Sequence, residues 1–288
     1  MNTINRRTFK DKLRSYRRRP FSGFLFLMVS LCALITFAAL LFLIGYILVM
    51  GIPHITPSLF AWEFTLDNLS LMPAIINTLI IVVLALLIAG PLGIFSAIYL
   101  CEYAKKGSKL MQVVRMTAET LSGIPSIVYG LFGLLFFVTS LGWSYSLLAG
   151  AFTLSIMVLP LIMRTTEEAL IAVPDSYREG SFALGTGKLR TIFRIVLKSA
   201  TPGILAGVIL ATGRIVGETA ALIYTAGTIA HVPNSLMGSG RTLSIHMWVL
   251  AGEGMHTGQA YATAVILLAV VILINALSGL VARKLEKG

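Results

Sequence analysis

Charge is scarce in this sequence. Only 12% of its 288 residues are Asp, Glu, Lys or Arg, about half the ~25% typical of soluble domains. Acid is the scarcer sign, with 12 acidic residues against 23 Lys and Arg. A chain so short of polar side chains and 57% hydrophobic cannot cover its apolar surface in water, which excludes a soluble globular protein and places it in lipid. Cysteine is nearly absent too. Cys32 falls in an apolar run and Cys101 beside a basic loop, so neither is placed for a structural disulfide, and there is no CxxC metal spacing. His54, His231, His246 and His256 match no ligand motif, so no metal is expected.

What is abundant is long apolar sequence. Crossing ~30 Å of hydrocarbon takes about 20 apolar residues, because each backbone amide must pair within its own helix there. Six segments qualify: Ser22 to Met50, Pro73 to Leu100, Thr120 to Val138, Trp143 to Met163, Pro202 to Thr225, and Ala260 to Val281. The predicted fold is an all-α membrane protein of six transmembrane helices. The first run holds 29 uncharged residues, against the ~7 to 15 of a secretory signal's apolar core, and is expected to remain as an anchor. The third and fourth come from one uncharged stretch that breaks at Ser140, Leu141 and Gly142, a hairpin turn. Gly90-Pro91, Gly123-Ile124-Pro125 and Leu159-Pro160 mark close packing and kinks, or a pathway lined by bent helices.

The formal charge of +11 would suit nucleic acid if it were spread over a folded surface. It is confined to one side. Eight basic residues from Arg6 to Arg19 precede the first run. Lys105, Lys106, Lys109 and Arg115 follow the second, Arg164, Arg178, Lys188, Arg190, Arg194 and Lys198 the fourth, and Arg283, Lys284 and Lys287 the sixth. Only Arg214 and Arg241 stand elsewhere. Basic loops are retained on the cytoplasmic side, so both termini are expected there, and no nucleic-acid partner is expected, only membrane lipids. The organisation read from this is a basic tail over 1–21 and a transmembrane domain over 22–288, with an inner loop at 164–201.

That loop is too long for a simple turn. Ser176-Tyr177-Arg178-Glu179 fits a capping box, in which serine and glutamate satisfy each other's exposed amides at a helix start. A short helix to Leu184, closed by a left-handed Gly185, is expected. A second helix follows, with Arg190, Arg194 and Lys198 on one face and Ile192, Phe193, Val196 and Leu197 on the other. The alternative is an amphipathic loop resting on anionic headgroups.

The loop resembles the EAA loop of binding-protein-dependent ABC permeases: Glu-Ala-Ala, three residues, Gly, nine residues, Ile-x-Leu-Pro. Here Glu179-Gly180-Ser181 precedes Gly185 and then Ile195-Val196-Leu197 at those spacings, with Gly180 and Ser181 for the alanines and Lys198 for the proline. The resemblance implies a type I ABC importer permease fold, and a short helix carrying Glu179, Gly180, Ser181 and Gly185 that docks on an ATPase subunit. No cofactor is expected on this chain. Gly185-Thr186-Gly187-Lys188 is an incomplete P-loop, with Phe182 in place of the first glycine and Leu189 in place of Ser or Thr. ATP and Mg then belong to a separate ATPase subunit, and this chain is not itself an enzyme.

Arg214 and Glu218 are four apart in the predicted fifth span, about 18 Å of helix beyond Pro202, hence near the bilayer centre. A charge there is costly unless it faces a partner or a watery pathway. Arginine stays ionised and can bond two oxygens of an oxyanion at once. A structural ion pair fixing helix packing is the other reading. The segment Gly213-Arg214-Ile215-Val216-Gly217-Glu218-Thr219-Ala220, with Pro91-Leu92-Gly93-Ile94, Ile98-Tyr99-Leu100, Glu102-Tyr103 and Arg164-Thr165-Thr166-Glu167, resembles the PstA family of phosphate permeases. That implies a substrate pathway through Arg214, Glu218 and Arg164. The implied partners are a second, PstC-like permease, two PstB-like ATPase subunits and a PstS-like extracytoplasmic phosphate-binding protein at a bacterial cell membrane. Rival readings are an ABC permease for sulfate or molybdate and, from another class, a secondary transporter. For the latter, neither internal repeats nor carboxylate-rich spans are found.

Overall fold

In the computed structural model, residues 20–105, 107–254 and 256–287 are described, with backbone only for Pro20, Glu253 and residues 281–287. The basic residues Arg6 to Arg19, Lys106, and the side chains of Arg283, Lys284 and Lys287 lie outside this description. Every regular element among the described residues is helical. The chain divides after Met50. The first part holds α1 (Pro20–Gly51), 32 residues, apolar all round and long enough to cross a membrane unaided.

From Gly51 onward, α2 (Met72–Ile98) and α5 (Leu147–Ile171) pack together along their lengths, and α8 (Leu197–Val216) lies against both. Lipid gives no hydrophobic push between spanning helices, so association depends on close van der Waals approach of small residues. The interfaces supply them. Ala85 and Ala89 of α2 are fully buried against Leu154, Val158 and Ile162 of α5. Gly203 and Gly207 of α8 admit Ala169 and Thr165 of α5 so closely that a β-carbon on either glycine would clash. Outward-facing Val83, Leu87, Leu273 and Leu277 are more than half exposed, as expected for side chains that meet lipid rather than water.

Among the described residues five helices are long and apolar enough to span, and a bent pair of helices makes the sixth candidate. The predicted third span, Thr120 to Val138, is not one helix: α3 (Lys109–Ser122) and α4 (Ser126–Gly133, widening to π-helix over Leu134–Ser140) meet at 101°. Pro125 has no amide to donate and forces Ile124 out of the helical region, which ends α3 at Gly123. The Tyr129 hydroxyl donates to the Leu121 carbonyl at 2.7 Å across the break. The predicted turn after Ser140 is present, with Gly142 at φ +67°.

Other boundaries shift. The fourth span starts at Leu147 rather than Trp143, because the Ser146 hydroxyl accepts from the Ala149 amide at 3.2 Å, and it runs through Arg164 to Ile171. The 164–201 loop is correspondingly smaller: α6 (Asp175–Ala183), a turn, then α7 (Lys188–Thr191) passing through a π-helical stretch, Ile192–Val196, into α8 without interruption. The fifth span ends at Val216, not Thr225, and only the short α9 (Ala220–Ile223) follows. At the end away from the basic loops, α10 (Leu243–Glu253) buries Leu243, Ile245, His246 and Leu250 against α2 and α11 (Thr257–Lys287). The apolar stretch Leu243 to Leu250 is therefore packed helix.

Candidate translocation cleft and coupling hairpin

Pro160 interrupts the α5 ladder by removing the hydrogen bond to the Ile156 carbonyl. Beside this point, α3, α5 and α8 enclose a cleft of about 450 Å³. Its charged lining is Arg115 and Glu119 from α3, Arg164, Glu167 and Glu168 from α5, and Arg214 from α8. Two arginines are already matched. Arg115 bonds Glu167, and Arg164 Nε donates to Glu168 Oε1 at 3.1 Å across one helical turn. Among the described residues, Arg214 and Glu119 form no ion pair within 4.0 Å. Arg214 is thus a cation of the cleft whose charge no neighbouring carboxylate offsets in contact.

Arg164 and Arg214 are therefore brought together as pathway candidates, whereas Glu218 is not. The four-residue spacing implied a shared helix face, but α8 stops before it reaches Glu218. The Glu218 carboxylate accepts instead from the Ala221 amide in the first turn of α9 at 3.1 Å, and its backbone carbonyl accepts from Ser244 Oγ at 2.6 Å. Arg214 and Glu218 do not pair. Sequence gives Arg115 only as a loop charge and Glu167 only as part of a family-like segment, and assigns no pathway role to either or to Glu119 and Glu168, although a usable signal exists: in a chain with 12 acids, two adjacent ones, Glu167 and Glu168, follow closely on a span-end arginine.

The hairpin of α6 and α7 lies at the basic end. The expected capping box is not formed, because Pro174, fixed at φ −57°, occupies the N-cap position and α6 begins at Asp175 with no side-chain cap. Asp175 in the first turn offsets the helix dipole. Gly185 does close the helix, at φ +77°, with the Thr186 amide reaching the Ser181 carbonyl at 3.2 Å and the Gly185 amide the Phe182 carbonyl at 2.9 Å. Ser181 points inward, sharing a buried 2.8 Å hydrogen bond with Thr191 that ties α6 to α7. Glu179 and Gly180 remain on the outer face with Tyr177, Phe182, Leu184 and Leu189, all exposed. Of the apolar face expected on the second helix, Ile192 and Val196 are buried while Phe193, within the same π-helical stretch, is 44% exposed.

Apolar-surfaced spans, a charged cleft beside a proline-containing helix, and a small hairpin at one end are the parts of a membrane permease. The chain belongs to the family described as the binding-protein-dependent transport system inner membrane component, which matches residues 89–287. It is the membrane-spanning permease of an ABC importer. It is 34% identical over 248 residues to the probable ABC transporter permease protein YqgI of Bacillus subtilis (strain 168), covering 79% of this chain and 82% of that one. It is 32% identical over 264 residues to the phosphate transport system permease protein PstA 2 of Mycobacterium bovis, covering 90% and 87% of the two chains. Among solved structures, a bacterial ABC transporter involved in import of the acidic polysaccharide alginate superposes with a TM-score of 0.65 at 17% identity, over 94% of this chain and 99% of that chain. The inward-facing MetNI methionine ABC transporter gives 0.58 at 20% identity, over 75% and 94%. The architecture is that of type I ABC importer permeases.

Proposed function

We propose that this chain is a permease subunit of an ATP-driven importer of inorganic phosphate at a bacterial cell membrane. It acts with a second, PstC-like permease, two PstB-like ATPase subunits and a PstS-like phosphate-binding protein, and has both termini cytoplasmic. The observation that carries the substrate class is Arg214, whose guanidinium lines the cleft while the other two arginines there are paired with glutamates. An anion passing the cleft meets a fork that can bond two of its oxygens. Glu167 and Glu168 keep Arg115 and Arg164 from holding the anion so tightly that it cannot leave. The named relatives support phosphate over other oxyanions.

The outer face of α6 with Glu179 and Gly180 is the surface offered to the ATPase, a rigid, small-faced lever of the kind that enters a groove. The deciding experiment is ATP hydrolysis by the purified complex. Stimulation by phosphate-loaded binding protein, and not by sulfate- or molybdate-loaded protein, is expected. Equal stimulation by sulfate would overturn the substrate.

A further inference from the structure

The hairpin is joined through the chain to two spans only, to α5 through Ala172–Pro174 and to α8 through the continuous α7. A third connection runs through space. The guanidinium of Arg178 on α6 reaches Glu102 at the end of α2, 76 positions away, with Nε at 3.1 Å and Nη2 at 2.7 Å from the same carboxylate oxygen. The same group donates to the Leu170 carbonyl at 3.0 Å, to the Val173 carbonyl at 2.9 Å and to Asp175 Oδ1 at 3.2 Å. One side chain thus holds the ends of α2 and α5 and the start of α6.

We propose that Arg178 and Glu102 form a strut through which displacement of the hairpin is delivered to α2 as well as to α5 and α8. The proposal rests on the reading that the hairpin docks an ATPase. Three features support a mechanical role rather than surface decoration. The pair is shielded, at 17% exposure for Arg178 and 9% for Glu102, so it is neither solvated nor free to wander as an exposed pair would be. A second tie lies beside it, with Lys188 at the start of α7 standing 4.7 Å over the ring of Tyr103. Both anchors, Glu102 and Tyr103, sit in the five-residue π-helical end of α2, Tyr99–Tyr103, where the widened ladder is more readily rearranged than α-helix.

Apolar packing alone would not fix the direction of motion. Ala97, Ile98 and Leu100 of this end meet Leu170, Val173, Ile192 and Val196, a contact between smooth surfaces that can slide. The charge-assisted, several-pointed attachment at Arg178 cannot slide without breaking. The hairpin's movement therefore pulls on α2, the helix packed most extensively against α5.

The test uses the whole importer in proteoliposomes, reading ATP hydrolysed and radiolabelled phosphate taken up in the same vesicles. In Glu102→Gln the ATPase should co-purify undiminished and hydrolyse ATP within about twofold of wild type, while uptake falls about tenfold, a loss within ordinary coupling energies. The ratio of ATP spent to phosphate moved then rises. Unchanged uptake, or uptake and hydrolysis falling in the same proportion, would overturn the strut, because a merely structural pair changes the amount of active complex and not the ratio. If Glu102→Gln does not accumulate, Tyr103→Leu, which removes only the ring under Lys188, is read by the same ratio. Undiminished co-purification of the ATPase with Glu179→Lys would instead refute the docking reading itself.

Discussion

Gly207 of α8 lies directly on the side chain of Thr165 of α5, at a separation no β-carbon could enter. One turn away, Gly203 receives Ala169 in the same manner. Arg164 neighbours this contact on α5, and Arg214 stands two turns farther along α8, so the glycines set how far apart the two cleft arginines are held. Gly207→Val should push the helices apart at a cost of about 1–3 kcal/mol for overpacking. Thermal unfolding of the purified chain should drop by roughly 2–4 °C for each kcal/mol lost, with uptake impaired although both arginines remain. An unchanged melting temperature would remove the contact from the stability of the bundle.

Arg214→Gln is expected to lower phosphate uptake about 100-fold while assembly is preserved, since about 2–3 kcal/mol of charge-assisted bonding to the anion is lost. Arg214→Lys should retain a measurable fraction, having the charge but not the fork. Adding Glu218→Gln to Arg214→Gln should restore nothing, because the two side chains do not pair. Recovery of transport in that double variant would sink the pathway role and make Arg214 a structural counter-ion.

The sidedness of the chain can be read with an impermeant thiol reagent in a Cys32→Ala, Cys101→Ala background. Cysteines at the exposed Ser58 and Ser235 should label from outside intact cells. One at the exposed Lys109 should label only after the membrane is opened. Labelling of Lys109→Cys in intact cells would invert the topology argued from the basic loops.

His246 of α10 is wholly buried, edge-on to Phe64 at 6.0 Å. Burial, reinforced by the positive Arg241 nearby, pushes its imidazole down to about 3. The folded protein therefore holds it neutral, while the unfolded chain takes up a proton near the ordinary value of ~6.5. Stability is fully present above pH ~6.5 and is lost as pH falls from there toward 3, on the order of 2 kcal/mol by pH 5. Melting measured at pH 7.5 and 5.0 should show a drop that shrinks in His246→Leu. An equal drop in both proteins would assign the acid sensitivity to other groups.

Hydropathy located the spans because lipid leaves so few ways to bury a backbone, and the charge of the loops is written one residue at a time. What it could not convey was where helices stop. Gly123-Ile124-Pro125 is legible as an irregularity, yet apolar content is the same for a kink and for a right-angled turn. The four-residue spacing of Arg214 and Glu218 predicted a shared face that exists only if the helix continues past Gly217. The cleft's charges escaped notice because Arg115 and Glu119, Glu167 and Arg214 come from three different helices, and Arg115 meets Glu167 only after packing. Its sequence context makes Arg178 part of a capping box, whereas its guanidinium is engaged with Glu102 and two carbonyls. Local spacing cannot report a bond to a residue in another span.

The bend at Gly123–Pro125 bears on the surrounding lipid as well. Beyond it the crossing limb has 8 residues of α-helix and 7 of π-helix, a rise of at most ~22 Å at 1.5 Å per residue, against a hydrocarbon layer of ~30 Å. Tilting shortens that reach further. A lipid-facing limb of that length requires the bilayer beside it to thin, so transport is expected to depend on bilayer thickness. Turnover should be greater in vesicles of short-chain than of long-chain phospholipid, and equal rates in both would show that neighbouring protein, rather than lipid, makes up the missing length.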